Sequence, residues 1–581
     1  MYKPLFYLLL ILVLSNKVFA QKTFVLVNNA RSNYKIIIPA DANDIEKQSA
    51  AVLQDYIQKM SNCKIPVAAQ NYSTSAQQII IGRNKIIPQK DINSLGGDGF
   101  IIKKINNALI LTGGNRKGTL YSVYTLLEDY LGCRMYTSKD IYVPHKNSIN
   151  LPASVSRKEI PSFAYRTTFF EDAFNKDYCD FHKMNTCEEG FGLWVHSFEV
   201  LVPKDKYFQA HPEYFALVNG KRTADQLCLT NSAVLNVVIQ NLQNLMKEKP
   251  GLKYWSVSQN DNDNFCECNN CTRLNGEQGG YQGSLLPFVN NVAKYFPDKT
   301  ITTLAYRKTE RPPNTIRPLP NVLIMLCTTY DERRIPYYKQ VFKDFDVNFK
   351  NWSAITSTLF IWDYIVQLAN SLSPFPNLYA MQIHVKYFGS RNVTDIFLEG
   401  IGNFPGELSE LRTYMVSRLM WNKNADMKAT MSEFINGYYG QNGGKYISSY
   451  INLLDKNASL KPVGLRGGGT PLDAMNAYLS AEDIKTYKSI FLNALNATAG
   501  TVYNARVMKE YLPVLYAELE INKTRITPGK VNPADKVVAA NLLNDFYKKA
   551  KQLNIVYLNE ARMSVDDYYK SYNNLLGNVK Q

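Results

Sequence analysis

Short apolar, β-rich runs alternate with helix-like segments through the middle of the chain, and this alternation constrains the fold more than any other feature. Eight such runs lie between residues 163 and 399, at spacings that leave room for helices between them. They are Phe163–Phe170, a weak run near Asn185–Cys187, Gln226–Leu229, Tyr254–Ser258, Thr300–Tyr306, Val322–Cys327, Thr358–Trp362 and Thr394–Glu399. Eight strands alternating with helices predict a central (β/α)8 TIM-like barrel over residues 156–406.

The segments on either side of this region have different patterns. Residues 21–155 alternate short β-rich runs with amphipathic helical segments, which predicts a small α/β accessory domain. In residues 407–581 strands almost vanish and helical patterns dominate, which predicts a helical C-terminal domain. The composition, 45% hydrophobic and 20% charged over 581 residues, is that of a globular protein and excludes bulk disorder. The predicted fold class is therefore α/β, in three domains.

The N-terminus has the pattern of a secretory signal peptide. Lys3 precedes an apolar run from Leu5 to Leu14, and Val18 and Ala20 are the small residues that a signal peptidase requires. We expect residues 1–20 to be removed and the mature chain to be exported, to a periplasm or outside the cell. No later stretch reaches about 18 uninterrupted apolar residues, so membrane insertion is not expected.

The charge balance favours an anionic partner only weakly. The formal net charge is +16, and about +14 remains after removal of the two lysines of the leader. Basic runs interleaved with aromatic residues are absent from the sequence, so nucleic-acid binding is not expected.

Three carboxylates stand at or near the ends of predicted strands, where a barrel enzyme carries its chemistry. Asp261 follows the strand at 254–258 and is the first choice for a general acid, although a solvated Asx-rich turn is the alternative. Glu399 ends the last strand and is the second candidate, unless it caps a helix or pairs with an arginine. Asp363 follows Trp362, and is either an acid beside a sugar-stacking ring or a structural residue.

Paired carboxylates suit the cleavage of glycosidic bonds. One group donates a proton to the leaving oxygen and the second stabilises an oxocarbenium-like transition state. Where the substrate carries a 2-acetamido group, its carbonyl oxygen can replace the protein nucleophile, and an Asp, Asn or Glu then orients it. The adjacent Asn260 and Asp261 would serve either step.

Aromatic and histidine side chains near the predicted rim are candidates for binding a sugar ring. These are Trp194, His196, Tyr306 and Trp362. The rings would provide stacking surfaces, and His196 is either a donor to a sugar hydroxyl or a satisfied core histidine.

Cys266, Cys268 and Cys271 form the tightest cluster in the chain, directly after the Asp261 loop. Three thiolates and a distant fourth ligand suit a closed structural zinc site. Disulfides are an equally natural outcome in an exported protein. The candidate disulfide partners are Cys179, Cys187 and Cys228. Because the chain has nine cysteines, disulfides within one chain cannot pair all of them.

Several motifs occur together in this sequence. They are Ser258-Gln259-Asn260-Asp261 with the three-cysteine cluster, His211-Pro-Glu-Tyr-Phe-Ala-Leu followed by Gln226-Leu-Cys-Leu-Thr, Ile361-Trp362-Asp363-Tyr364, and Gly406-Glu-Leu-Ser-Glu-Leu411. This set, over about Phe163 to Leu454, resembles the domain of unknown function 4838, a group that includes glycoside hydrolase family 163. Residues 23–152, with the run Leu120-Tyr-Ser-Val-Tyr-Thr-Leu-Leu-Glu-Asp129, resemble the accessory domain that precedes the barrels of α-glucuronidases and β-hexosaminidases.

The resemblance implies a retaining endo-β-N-acetylglucosaminidase that acts on N-glycans by acetamide assistance, without a metal in the chemistry. Asp261 matches the Ser-Gln-Asn-Asp motif, but the expected Glu-Gln-Gly stands here as Leu398-Glu399-Gly400. The acid is displaced by one position, and adjacent strand residues face opposite sides of a sheet. An exo-hexosaminidase, an α-glucuronidase-like hydrolase and a catalytically silent glycan-binding protein are the alternatives.

Overall fold

A computed structural model describes residues 23–328, 333–336, 339, 343–461, 464–526 and 533–577. The predicted signal peptide, residues 1–20, lies outside this part of the chain. The chain forms two compact units, Met1–Cys133 with Val143–Ile160 and Arg134–Tyr142 with Pro161–Gln581. Within the described ranges, none of the helices has both the length and the apolar character needed to cross a membrane.

The strands, in chain order, are β1 Thr23–Val27, β2 Lys35–Ile38, β3 Val67–Ala69, β4 Gln78–Ile81, β5 Phe100–Ile105, β6 Ala108–Gly113, β7 Arg134–Thr137, β8 Asp140–Tyr142, β9 Ile149–Pro152, β10 Ser156–Glu159, β11 Tyr165–Phe170, β12 Phe191–Leu193, β13 Phe215–Val218, β14 Lys221–Leu227, β15 Tyr254–Ser256, β16 Thr300–Ala305, β17 Val322–Cys327, β18 Leu359–Tyr364 and β19 Val393–Gly402.

The helices are α1 Asp44–Ser61, α2 Gln89–Asn93, α3 Gly118–Thr125, α4 Lys176–Phe181, α5 Phe198–Leu201, α6 Lys204–Tyr207, α7 Ser232–Glu248, α8 Asn269–Gln278, α9 Gln282–Ala293, α10 Lys343–Ile355, α11 Leu378–Phe388, α12 Ser409–Trp421, α13 Met427–Tyr438, α14 Gly440–Leu460, α15 Ala481–Ala497, α16 Tyr503–Lys523, α17 Pro533–Gln552 and α18 Val565–Leu575.

The first unit is built on a mixed six-stranded sheet in the order β10-β5-β6-β4-β2-β3. Its strands are rich in isoleucine and leucine because both of their faces are largely covered. Helix α1 begins at a capping box, in which Asn43 accepts from the backbone of Glu46 and Glu46 accepts from that of Asn43. This unit has the mixed α/β character that the sequence predicts.

The second unit contains a parallel seven-stranded sheet in the order β11-β19-β18-β17-β16-β15-β12. Rings from its two edge strands meet, which shows that the sheet is curled. The centroids of Tyr165 on β11 and Phe191 on β12 lie 5.6 Å apart. Trp194, directly after β12, reaches Phe397 on β19 at 5.5 Å. The predicted closed barrel of eight strands is thus confirmed only in the coarser form of a curled parallel sheet.

Six of the eight predicted strands lie in this sheet, and two predictions are wrong. The run near Asn185–Cys187 is not a strand, although the Asn185 amide donates to the carbonyl of Arg166 at 2.8 Å. The run Gln226–Leu229 falls at the end of β14, which pairs antiparallel with β13 in a separate hairpin. The seventh strand, β12, escapes prediction because it has only three residues and a central Gly192.

Alternation along the parallel strands gives the curled sheet an inner, aromatic-rich face. The buried residues of this inner cluster are Tyr165, Phe191, Leu304, Leu323, Met325, Cys327, Phe360 and Phe397. Trp194, Tyr306 and Trp362 are partly buried and pack against the same cluster. Three of the predicted sugar-binding rings therefore share one surface.

Helices dominate the chain after β19, as the sequence predicts for residues 407–581. From α12 to α18 each helix packs against the next one along the chain. The segment between α17 and α18 approaches the residues that follow β18, because the Ser371 hydroxyl donates to the carbonyl of Leu558 at 3.4 Å. This contact brings a remote part of the sequence toward the carboxyl ends of the parallel strands.

Candidate active site

Glu399 lies near the carboxyl end of β19, on the inner face of the curled sheet. It is two residues beyond Phe397 of the inner cluster and in register with Tyr364 of β18. The Trp362 indole Nε1 donates a 2.6 Å hydrogen bond to Oε2 of Glu399. The displacement of this acid by one position therefore does not turn it away from the inner face.

The surroundings of Glu399 favour its neutral form. The pKa of this carboxyl is raised to about 8, with burial as the largest cause and the negative charge of Glu560 as a smaller cause in the same direction. The indole hydrogen bond from Trp362 and the charge of Arg333 act in the opposite direction and lower it. Because burial outweighs the hydrogen bond, Glu399 holds a proton at neutral pH.

The backbone around Glu399 is irregular. Thr168 of β11 pairs with Leu398, but Phe170 pairs with Gly402, so β19 has extra residues between these two points. Bulges of this kind re-aim side chains and recur beside active sites. Gly400 is required here, because a Cβ at this position would lie 2.5 Å from the Phe169 carbonyl oxygen.

Aromatic rings line the surface beside the Glu399 carboxyl. The Trp194 and Trp362 ring centroids lie 5.7 Å apart, and Phe397 meets Trp362 edge-on at 4.6 Å. Both tryptophans are only partly buried. The arrangement provides an apolar wall with a carboxyl beside it, which suits a sugar ring that stacks on one face.

Asp261 lies on the loop after β15 and is more exposed to solvent than Glu399. Its side chain is 58% exposed, and its Oδ1 lies 3.7 Å from Nη1 of Arg307. The neighbouring Asp263 makes a closer ion pair with Arg307, at 2.6 Å. The carboxylate at position 261 is therefore solvated and next to a cation.

The two candidate acids act on a common neighbour. Cys327, at the end of β17, is fully buried, and burial raises the pKa of its thiol well above the usual value. The charges of Glu399, Glu310 and Asp261, in that order, raise this pKa further. Both carboxyls therefore act electrostatically on the thiol at the end of β17.

Both polar atoms of the Asn260 side chain make hydrogen bonds to neighbouring backbone groups. Its Oδ1 accepts from the Glu199 amide at 3.2 Å, and its Nδ2 donates to the Asp225 carbonyl at 2.8 Å. Gln226, a residue of the Gln-Leu-Cys motif, donates from Nε2 to the carbonyl of Asn260 at 2.8 Å. The motif residues therefore fix the conformation of the loop that presents Asp261.

His196 and Tyr306 stand beside this loop. The His196 Nδ1 is 2.8 Å from the Gln259 carbonyl oxygen, and the His196 and Tyr306 rings lie 6.3 Å apart. The backbone of His196 is left-handed, with φ 50°, and so is that of Arg307, with φ 53°. Strained conformations of non-glycine residues gather at functional sites, and two of them flank this loop.

Asp363 lies apart from the other candidates. It is 1% exposed and faces away from the inner cluster, since its neighbour Trp362 faces toward it. Its Oδ1 accepts from Arg333 at 3.0 Å and from the Thr328 hydroxyl at 2.7 Å. These bonds form a buried ion pair behind the strand.

In the structure a fourth cysteine, Cys228, lies beside the three cysteines of the sequence cluster. The sulfurs of Cys228, Cys266, Cys268 and Cys271 all lie within 4.8 Å of one another. The remaining candidate disulfide partners, Cys179 and Cys187, lie outside this cluster and form no disulfide among the described residues.

Three functional neighbours carry no recognisable signal in the sequence. Arg333 lies after β17 in the chain, Arg307 starts a short 3-10 turn after β16, and Glu560 belongs to the segment between α17 and α18. Each acts on a candidate acid by its charge, and only the tertiary structure brings these charges together.

The fold is similar to that of a solved carbohydrate-active enzyme. A solved structure titled "A novel family GH115 4-O-Methyl-alpha-glucuronidase, BtGH115A, with specificity for decorated arabinogalactans" matches with a TM-score of 0.58. The two chains are 12% identical, and the match covers 96% of this chain and 80% of that one. The fold therefore resembles that of a glycoside hydrolase.

The family follows from the sequence itself. The profile of the family described as "Domain of unknown function (DUF4838)" matches residues 135–452, more than half of the chain. The chain belongs to this family, as its motifs suggest. A comparison with functionally curated proteins gives no match.

Proposed function

We propose that this protein is a glycoside hydrolase whose general acid is Glu399. The observation that carries this proposal is the half-buried Glu399 carboxyl beside the Trp194 and Trp362 rings, with its Oε2 bonded to an indole N–H. A proton donor must be protonated before reaction and near the leaving oxygen, and a pKa of about 8 meets the first requirement at neutral pH. With Oε2 engaged by Trp362, Oε1 is the oxygen that delivers the proton.

Asp261 then supplies the second, ionised group. Its side chain is 58% exposed, and its Oδ1 lies 3.7 Å from Nη1 of Arg307. The two carboxyl groups differ in environment in the way that separates acid from base in glycosidases. The sequence alone favours Asp261 as the general acid. The environments of the two side chains in the structure instead favour Glu399 as the acid and Asp261 as the second group.

For the substrate, we propose an N-glycan that is cleaved by a retaining endo-β-N-acetylglucosaminidase reaction with acetamide assistance. Membership of the DUF4838 family and the Ser258-Gln259-Asn260-Asp261 motif support this assignment. Both polar ends of the Asn260 amide are engaged in the loop, so Asp261 is the group that would orient the acetamide. An exported protein, periplasmic or extracellular, would meet such glycans.

A second candidate is an α-glucuronidase-like reaction. The fold of the 4-O-methyl-α-glucuronidase supports it, and so does the half-exposed Arg307 guanidinium beside the Asp261 loop, which suits a uronate carboxylate. A catalytically silent glycan-binding protein would use the same aromatic wall without the acid.

A panel of complex, high-mannose and uronic-acid-containing glycans separates these candidates, with the products read by mass. Release of an oligosaccharide that ends in a single GlcNAc supports the endo-acting reaction. Release of one terminal uronic acid supports the second candidate instead. Binding without any product would contradict the proposal and leave the glycan-binding alternative.

A further inference from the structure

The geometry of the four-cysteine cluster matches a tetrahedral metal site. Cys228 and Cys268 are neighbours whose sulfurs lie 3.7 Å apart. A tetrahedral zinc with Zn–S bonds of about 2.3 Å sets its sulfurs roughly 3.8 Å from one another. All four sulfurs lie within 4.8 Å of one another, so a single ion can reach every one of them.

The groups around the cluster suit thiolates. The backbone N–H of Leu217 donates to Sγ of Cys266 at 3.3 Å, and Nη1 of Arg222 lies 4.0 Å from the same sulfur. The Thr230 hydroxyl lies 3.3 Å from Sγ of Cys271. Donors and a cation at these positions offset the negative charge that four thiolates bring to one ion.

The ligands come from two segments that are distant in sequence. Cys228 directly follows β14, whereas Cys266 and Cys268 precede α8 and Cys271 lies in its first turn. An ion held by all four ties the β13–β14 hairpin to the start of α8.

The same hairpin is bonded to the loop that carries Asp261. The Asp225 carbonyl accepts from the side chains of both Asn260 and Asn262, and the Gln226 amide donates to their carbonyl oxygens. The cluster therefore fixes one end of a short segment whose other end presents Asp261.

We propose that Cys228, Cys266, Cys268 and Cys271 form a closed structural zinc site that holds the Asp261 loop against the β13–β14 hairpin. Zinc binding displaces the thiol protons, and the ion fills its tetrahedron with sulfur, so it has no open position for substrate. This site is independent of the proposed glycosidase reaction, since it holds a loop whether or not that loop carries a catalytic group.

Two disulfides among the same four cysteines are the competing chemistry, because an exported protein meets oxidising conditions. Disulfide sulfurs lie about 2.05 Å apart in separate pairs, whereas these four sulfurs form a single group within 4.8 Å of one another. This grouping favours the metal.

Metal content of the full-length protein tests the site without any activity assay. Elemental analysis of protein purified without added metal should give stoichiometric zinc, and cobalt substitution should give the absorption of a tetrahedral thiolate site. Cys228→Ser should lose most of the zinc, Cys228→His should keep it, and Cys63→Ser, a buried thiol of the other unit, should also keep it. Unreduced peptides that link Cys228 to the 266–271 segment, with no zinc, would overturn the proposal.

The role of the ion needs a second measurement. Hydrogen exchange at residues 257–268 and 215–228 should accelerate when a chelator removes zinc from the wild-type protein, and should return to its original rate when zinc is restored. Unchanged exchange in both segments after zinc loss would overturn the loop-holding role.

Discussion

The indole nitrogen of Trp362 donates a 2.6 Å hydrogen bond to the Oε2 of Glu399, across neighbouring strands of the curled sheet. This bond stabilises the charged form of the carboxyl, yet burial dominates and raises the pKa of Glu399 to about 8. An acid with such a pKa is protonated at neutral pH and able to give its proton to a leaving oxygen.

The first prediction is a loss of activity with rising pH. Because Glu399 must be protonated to act, kcat/KM should fall as the pH rises through about 8. Glu560→Gln removes a charge that raises this pKa, so the alkaline limb should move to lower pH. Glu482→Gln, on the exposed first turn of α15, is the matched control and should leave the limb in place. Identical profiles for all three proteins would contradict the assignment.

The second prediction concerns the indole donor. Trp362→Phe keeps an aromatic ring but removes the hydrogen bond that lowers the pKa of Glu399, so the alkaline limb should move to higher pH. Trp194→Phe shrinks another ring of the same wall, and should weaken substrate binding without moving the limb. A pH profile for Trp362→Phe that matches that of Trp194→Phe would show that the indole N–H does not act on the acid.

The third prediction separates Asp261 from its neighbour. Asp261→Asn should lower kcat by about 10²-fold or more, because it removes the charge that stabilises the transition state. Asp263→Asn breaks the closer ion pair with Arg307, at 2.6 Å, and should have a much smaller effect. A larger loss of kcat in Asp263→Asn than in Asp261→Asn would contradict a direct role for Asp261 in the reaction.

The fourth prediction is a stability effect at Asp363. Asp363→Asn removes the carboxylate that lies 3.0 Å from the buried Arg333 guanidinium, which should cost about 3–5 kcal/mol of unfolding free energy. Glu277→Gln removes one partner of an exposed ion pair with Arg273, and should cost less than about 1 kcal/mol. Urea unfolding and thermal midpoints measure both. An Asp363→Asn protein as stable as the wild type would contradict the structural role.

Sequence patterns predict the long elements of this fold and miss the short ones. Apolar runs such as Val322–Cys327 are long enough to identify a buried strand, whereas the three-residue β12 is too short and is interrupted by Gly192. The run at Gln226–Leu229 is β-rich, but a local hairpin uses it instead of the sheet. Periodicity cannot distinguish a strand of the parallel sheet from a strand of a separate hairpin, because both bury alternate residues.

Some members of the candidate site are predictable from the sequence, but their roles are not. Strand alternation states that Trp362 and Asp363 face opposite sides, yet only the register decides which one faces inward. Burial, which raises the pKa of Glu399, depends on rings from several strands, and the charge of Glu560 comes from a segment far along the chain. Likewise, Cys228 joins the other three cysteines only through the β13–β14 hairpin.

The most direct test of the central claim compares wild-type protein with Glu399→Gln on two substrates of the same sugar, a natural glycan and an aryl glycoside with a good leaving group. The variant should lose about 10²-fold or more of kcat on the glycan, whose leaving group needs a proton, and much less on the aryl glycoside. Circular dichroism and the thermal midpoint should show that it still folds. Equal turnover of the natural glycan by wild type and variant would contradict the assignment of Glu399 as the general acid.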